Sequence, residues 1–470
     1  MTSLRKIRII LIAMIAVAPA TAWNGAWADS NNAPQPAEIA LDEALASALA
    51  NNQEYRISRL RVRQSRERVN AAWGQILPAI ESEASLLRQG ADSGAMSLSD
   101  GQYDIRVAQL KFGVNPGAFY NSLKLSYAGQ GLALAEQKKI RAQVELNVIR
   151  GYFDVILAGE MVSLRKNSMQ VLEENLKDVS GLYRTGSVPK FELLQAQVKL
   201  KSQEPLVSEA ENNYRTALDF FNYHLGFENH ARTVKKGHLT DGIRKPGGEE
   251  ILPDLIARAM ANRPEIIQVS LQKEASDRSR KANQSAYLWP YFTVGASYGF
   301  TYMLPNEVNV NLPAGVNPDF SQMTGKKEWQ QTWQVRIAAT YRWSSLIPVD
   351  GHNAAAREER EKTAEAEERL AQLGRLTAIS IRSIHGRLAT AFETILSQEK
   401  NIETAEEGLR IAREGYRAGI LKNADLLNAE LTLTGARTAY IKAVYDYHVS
   451  RAELDRETGM NNDDIIFREK

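Results

Sequence analysis

Two stretches of the chain alternate apolar and polar residues with a period of two. Phe292, Val294, Ala296, Tyr298, Phe300 and Tyr302 alternate with Thr293, Gly295, Ser297, Gly299 and Thr301. Trp333, Val335, Ile337, Ala339, Tyr341 and Trp343 alternate with Gln334, Arg336, Ala338, Thr340 and Arg342. Successive side chains of a strand point to opposite faces, so each stretch predicts a strand with one aromatic and aliphatic face and one small or polar face. A weaker version lies upstream: Ile80, Ala84 and Leu86 against Glu81, Glu83 and Ser85, then Tyr103, Ile105 and Val107 against Asp104 and Arg106. Polar, Gly-rich loops are expected near 88–101 and 303–330. The strands are therefore expected in pairs, about 78–88 with 102–112 and about 290–303 with 331–343. Pro78 and Pro290 stop the helical segments that precede them.

After Pro116-Gly117 and after Pro348-Val349-Asp350 the period changes to seven. Val148, Val155, Val162, Met169, Leu176 and Tyr183 form one ladder; Ile381, Leu388, Ile395, Ile402, Leu409 and Tyr416 form another. A sustained heptad implies left-handed packing of long helices. Proline-free runs predict helices over about 118–182 and 351–415, each about 100 Å long at about 1.5 Å per residue. Both ladders end in a similar phrase, YRTGSVPKFELLQAQVKL from Tyr183 and YRAGILKNADLLNAELTL from Tyr416. In each, a glycine just past the helix suits a left-handed cap. An acid, Glu192 or Asp425, follows in the first turn of a return helix, about 190–225 or 422–458. Pro205 predicts a kink in the first return helix.

The rungs of the two ladders are 233 positions apart (416 less 183), and the offset still holds at Tyr214 and Tyr447 and at Gly226 and Gly459. The Ala-rich segments ending at Asn51 and Asn262 also match. The chain is thus read as a duplication. One repeat spans 29–225 and the other 251–458, with a linker at 226–250 and a tail at 459–470. The fold class is mainly α with a small β part, each half being helix, β-hairpin, helix of about 65 residues and return helix.

Composition changes this picture in a few respects. Arg5, Lys6 and Arg8 precede an apolar run, and Ala26-Trp27-Ala28 follows, so residues 1–28 read as a secretory signal peptide; cleavage after Ala22 is the second option. An N-terminal membrane anchor is the alternative, disfavoured because a span needs about 20 apolar residues. Removing the three bases leaves 55 Lys and Arg against 56 Asp and Glu. That balance gives no reason to expect nucleic acid. With no cysteine in the chain, disulfides, thiol catalysis and lipidation at a mature N-terminal cysteine are excluded. The six histidines show no metal-ligand spacing, and neither a metal nor another cofactor is expected. Gly295-Ala-Ser297-Tyr-Gly299 matches the nucleophile elbow of hydrolases, which needs a strand-to-helix turn. Here it lies inside an alternating strand, so no enzyme is expected.

Four amphiphilic strands cannot close a barrel alone, and open edges are untenable in lipid. Several chains must share one barrel. A secreted chain with a partial barrel and duplicated helical hairpins resembles the TolC-type outer-membrane efflux and secretion channels, over nearly the whole mature length. The resemblance implies a homotrimer, with a twelve-stranded barrel in the outer membrane continuous with a helical tunnel in the periplasm. It also implies a periplasmic adaptor and an inner-membrane transporter as partners. The rival reading is a periplasmic coiled-coil scaffold without a pore, which leaves the Trp- and Tyr-rich strands unexplained. Trp333, Val335, Ile337, Ala339, Tyr341 and Trp343 are expected to face outer-membrane lipid, and Arg336 and Arg342 water. By resemblance, Arg184-Thr185-Gly186 and Arg417-Ala418-Gly419 are adaptor-docking tips. By resemblance also, Asp425, Asn428, Tyr416 and Lys422 form the pore gate. Relatives carry two aspartates on this helix where the present chain has Asp425 and Asn428, one ring of acids and one of amides.

Overall fold

The computed structural model describes residues 37–92, 96–227, 232–234, 243–247, 251–303, 307–310, 328–341, 343 and 347–459. The side chains of 37, 88–102, 286 and 303–310 are outside that description. So are the expected signal peptide, most of the 226–250 linker, Arg342 and the tail beyond Gly459. From Glu38 onward the chain is one compact unit.

In chain order the first half holds β1 (Ala37–Ile39), α1 (Leu41–Asn51), α2 (Gln53–Gly74), β2 (Ala79–Asp92), β3 (Met96–Val114), α3 (Pro116–Arg184) and α4 (Lys190–Leu225). The second holds β4 (Arg232–Val234), α5 (Leu252–Asn262), α6 (Pro264–Leu288), β5 (Tyr291–Met303), β6 (Glu307–Val310), β7 (Trp329–Thr340), α7 (Gly351–Arg417) and α8 (Asn423–Thr458). The long helices α3 and α7 have 69 and 67 residues, which makes each about 100 Å long. Both start with a side-chain cap. Asn115 accepts from the Ala118 amide at 2.9 Å and Asp350 from the His352 amide at 2.9 Å. Such caps satisfy backbone donors that the first helical turn leaves free. Helix α4 runs through Pro205 without ending there.

β1 and β4 pair as a small two-stranded sheet; the other strands form an antiparallel sheet in the order β2-β3-β5-β7, with β6 paired to the far end of β3. β2–β3 and β5–β7 are the expected hairpins, and β3–β5 joins the halves. The outer edges of β2 and β7 have no partner strand among the described residues. Three features differ from the sequence reading. The expected loop at 303–330 holds β6, which the pairing with Met96–Ser99 of β3 makes a strand. The expected loop at 88–101 is mostly strand, since pairing continues from Arg88–Gly101 to Asp92–Ser97. Side-chain alternation ends where the apolar residues end, but backbone pairing does not depend on it. At the other end β7 stops at Thr340, so Tyr341 and Trp343 lie beyond it.

The helices form a layer below the sheet. α3 is central: α2 and α4 pack on one side of it, α6 and α8 on the other, with α7 beyond α6 and α8. The layer therefore reads α2-α3-α6-α7 near the sheet and α4-α3-α8-α7 farther away. The short helices meet end to end. Asn52, between α1 and α2, donates to the His224 carbonyl near the end of α4 at 2.9 Å. Gly226 caps α4 with φ +81°, and a Cβ there would lie 2.6 Å from the Asn51 carbonyl oxygen. This junction needs glycine for both conformation and space. In the second half Arg263 bridges Glu457 at 2.9 Å, tying the start of α6 to the end of α8. The cores of the halves correspond: Val148, Val155 and Phe221 in one, Ile381, Leu388 and Leu454 in the other.

Candidate functional site

Three regions carry the expected functional residues: the sheet faces, the hairpin tips, and the first turns of α8.

On the sheet, Trp333, Val335 and Ile337 pair with Tyr298, Ala296 and Val294 and share their face. They are 75, 61 and 78 % exposed, unusual for large apolar side chains unless another apolar medium covers them. The opposite face carries Glu81, Glu83, Asp104, Arg106, Lys111 and Arg336. There Arg106 bridges Glu83 at 3.0 Å and Lys111 bridges Glu81 at 2.8 Å. Ser297, mid-strand opposite Gln334 and Gln109, sits at no strand-to-helix turn. A bulge at Val107 was not legible in the sequence. Arg106 pairs with Gly299 and Ala108 with Tyr298, so the register shifts by one. The apolar face then continues through Ala108, Leu110 and Phe112, which join the aromatic set. Gly299 is the one local sign: a Cβ there would meet the Ile105 carbonyl oxygen at 2.3 Å. Tyr341, past the strand, is half-buried and donates to the Tyr287 carbonyl. Its ring meets that of exposed Trp343 edge-on, with centroids 4.9 Å apart.

At the tips, Gly186 and Gly419 have φ of +76° and +73°. The Ser187 amide reaches back to the Leu182 carbonyl at 2.9 Å, and that of Ile420 to Gly415 at 2.9 Å. Both are six-to-one bonds of a Schellman cap. Arg184, Thr185, Arg417 and Ala418 are exposed around them. The two hairpins converge here on one core of Val179, Ala196, Leu409, Tyr416, Leu426 and Leu433. Asn175 of α3 donates to Asn423 at the start of α8 at 2.7 Å, both buried. This inter-hairpin bond has no sequence signal, because nothing in either local pattern points across 248 residues.

Of the four expected gate residues, Tyr416 is buried in this core and Asp425, Asn428 and Lys422 are exposed. The Tyr416 hydroxyl has no hydrogen-bond partner among the described residues. Burial pushes the phenol's pKa up, and the carboxylates of Glu192 and Asp178 add to the shift. Asp425 Oδ2 accepts from the Lys422 amide at 3.0 Å, so the carboxylate caps α8. Asn428 lines a groove of about 580 Å³ between α4 and α8 with Phe191, Leu194, Val198, Leu427 and Leu431.

Comparison with known proteins accords with this architecture. The family model "outer membrane efflux protein" matches residues 44–219 and 255–460. The probable outer membrane lipoprotein SilC of Salmonella typhimurium is 20 % identical over 425 residues, covering 87 % of this chain and 83 % of its own. Outer membrane protein TolC of Escherichia coli is 19 % identical, with 85 % and 78 % covered. The outer-membrane channel OprN superposes with a TM-score of 0.73 at 16 % identity, covering 90 % of each chain. With a family match across both halves and the same fold from end to end, the chain belongs to the outer membrane efflux proteins.

Proposed function

We propose that this protein is the passive exit duct of a tripartite export assembly, a homotrimer whose sheets close into a twelve-stranded barrel. The observation that carries the reading is the amphiphilic sheet with two open edges. From Phe292 to Tyr302 the apolar face of β5 is about 33 Å long at 3.3 Å per residue. Tilted by about 40°, it rises about 25 Å, the height of the apolar band of outer-membrane barrels. Arginine facing lipid costs about 2–4 kcal/mol at the midplane, which favours the register that turns Arg336 to water. The helical layer then continues into the periplasm. Its tips, Arg184-Thr185-Gly186 and Arg417-Ala418-Gly419, receive the hairpins of a periplasmic adaptor, and an inner-membrane transporter supplies the energy.

Asp425 serves as cap and as gate. Oδ2 holds the Lys422 amide, which leaves Oδ1 for the pore, and three chains give a ring of carboxylates. Acid rings favour cations. Tyr416 holds α7 and α8 in the closed packing, and Lys422 stands exposed at the start of α8.

The test uses the absence of native cysteine. Single cysteines along β7 in the assembled protein should label alternately with a water-soluble reagent, Arg336→Cys reacting and Ile337→Cys protected. Reaction at 337 without reaction at 336 sinks the register. In planar bilayers the wild type should form channels, Asp425→Ala should lower cation selectivity and Asn428→Asp should raise it. Unchanged selectivity in both would remove the gate assignment.

A further inference from the structure

Helix α2 is strongly basic. Its 22 residues hold six arginines and two glutamates. Arg56, Arg59, Arg63 and Arg66 follow 3-4-3 spacing, which puts them in one stripe, beside the stripe of Ser58, Val62, Ser65 and Val69 that packs on α3. All four are exposed, and among the described residues none has an ion-pair partner. So many uncompensated charges on one face repel each other unless an acidic surface faces them.

The other edge of the same layer supplies such a surface. Residues 357–369 of α7 hold six glutamates and four bases. Glu358, Glu361, Glu365 and Glu368 are all exposed and follow the same 3-4-3 spacing, away from the buried stripe of Ala356 and Ala366. Glu358 and Glu365 bridge Lys362 and Arg369 within α7 at 2.8 and 2.5 Å; Glu361 and Glu368 have no ion-pair partner among the described residues.

The two stripes also match in height. α2 runs toward the sheet and α7 away from it. Arg66, Arg63, Arg59 and Arg56 lie 8, 11, 15 and 18 residues before Gly74, the end of α2. Glu358, Glu361, Glu365 and Glu368 lie 7, 10, 14 and 17 residues past Gly351, the start of α7. Counting from the sheet is a fair measure of height in this layer. Lys273, 15 residues before the end of α6, bridges Glu367, 16 past the start of α7, at 2.8 Å. Trp73, next to the end of α2, meets Phe119 near the start of α3, with ring centroids 5.9 Å apart.

We infer that the α2 arginine stripe docks against the α7 glutamate stripe of a second copy of this chain, antiparallel. The rungs are Arg66 with Glu358, Arg63 with Glu361, Arg59 with Glu365 and Arg56 with Glu368. α2 and α7 are the opposite edges of the layer, so a closed ring brings them together at every subunit boundary. The inference rests on the oligomeric reading above and adds what sets the vertical register between subunits. A lone exposed ion pair contributes little. A ladder repeated around a ring, partly desolvated by the contact, penalises each one-rung slip and each wrong partner.

The experiment is a charge swap in the full chain, read as trimer content by light scattering in mild detergent, with helicity by circular dichroism. Arg59→Glu with Arg63→Glu should lose most of the trimer while keeping helicity. Glu361→Arg with Glu365→Arg should do the same. The chain with all four substitutions should recover the trimer. Trimer that survives both one-sided reversals overturns the ladder, and so does a four-fold variant no better assembled than either parent. If a one-sided variant loses helicity, the four-fold variant still decides the matter, because rescue requires the two stripes to meet. A wild-type chain that is monomeric at every salt concentration would overturn the oligomeric reading itself.

Discussion

Tyr183 and Tyr416 stand at the same place in the two copies of the hairpin, yet Tyr183 is 38 % exposed and Tyr416 8 %. The difference begins higher up. The second ladder is buried at every rung from Ile381 to Tyr416 except half-buried Ile402, whereas the first, after Val155, is only half-buried at Val162, Met169 and Leu176 and is exposed at Tyr183. Below Val155 the buried positions of α3 are Leu164, Ser168, Leu172, Asn175 and Val179, a different stripe. Where the first copy has Leu182 the second has Gly415, and a Cβ at Gly415 would lie 2.8 Å from Leu421 Cδ1. Leu421 folds back into that space and packs on the shared core. The return helices differ too: α8 has the Asp425 cap, and α4 starts at Pro189 with no side-chain cap. Two copies of one local pattern have become a tip with a buried tyrosine and a tip with an exposed one. The first of these carries the proposed gate.

That contrast is open to direct attack. The largest effect is expected from Tyr416→Ala, which removes a buried ring and should cost about 3–5 kcal/mol. Tyr183→Ala should stay near the small values typical of surface changes. Thermal unfolding of the two variants in detergent measures the gap, and equal losses would show that the copies are packed alike. Next comes Gly415→Leu, which gives the second copy the residue of the first. Overpacking against Leu421 should cost about 1–3 kcal/mol and raise the open probability in bilayers. A stable, closed Gly415→Leu channel would deny Leu421 its role.

A smaller effect concerns Glu430, buried on α8, where the first copy has exposed Gln197. Burial raises its pKa, against the downward pull of Arg413, Arg437 and the Thr434 hydroxyl. An acid whose folded pKa lies above its unfolded value binds more protons when folded, so stability falls as pH climbs from the ordinary glutamate range through the raised value. Glu430→Gln should therefore stabilise the protein at neutral pH and flatten that fall. A steeper fall in the variant would mean that the two arginines outweigh burial. Smallest of all, Asp425→Ala should cost a few tenths to about 1 kcal/mol, the usual worth of a charge and cap at a helix start. Glu192→Ala, seen by circular dichroism of the same preparation, should cost less.

The pattern of the sequence carried most of this architecture. Heptads and proline-free runs marked α3 and α7 to within a few residues, because long amphipathic helices repeat one signal many times. Period-two alternation marked the faces of β5 and β7 for the same reason. What was not legible depends on single contacts between distant segments. The bulge at Val107 is set by its partner Gly299, the Asn175–Asn423 bond by the meeting of two hairpins, and the stacking of α2 on α4 by Asn52. The shallower burial of the first ladder after Val155 depends on which helix lies alongside, a property of the neighbour more than of the ladder. Asp425 was legible as an acid in a first turn, but its contact with the Lys422 amide depends on how the chain enters α8.

The edges of β2 and β7, which have no partner strand among the described residues, bear on how the protein reaches its place in the cell. A strand edge left open invites pairing with whatever strand it meets, so a lone chain is a hazard to itself and to its neighbours. In the proposed trimer, ring closure would remove the hazard only when enough copies arrive together, and the yield of closed rings would then depend on a power of supply greater than one. Modest cuts in expression would cost far more than their share of finished rings, and the shortfall would appear as aggregated or degraded chain.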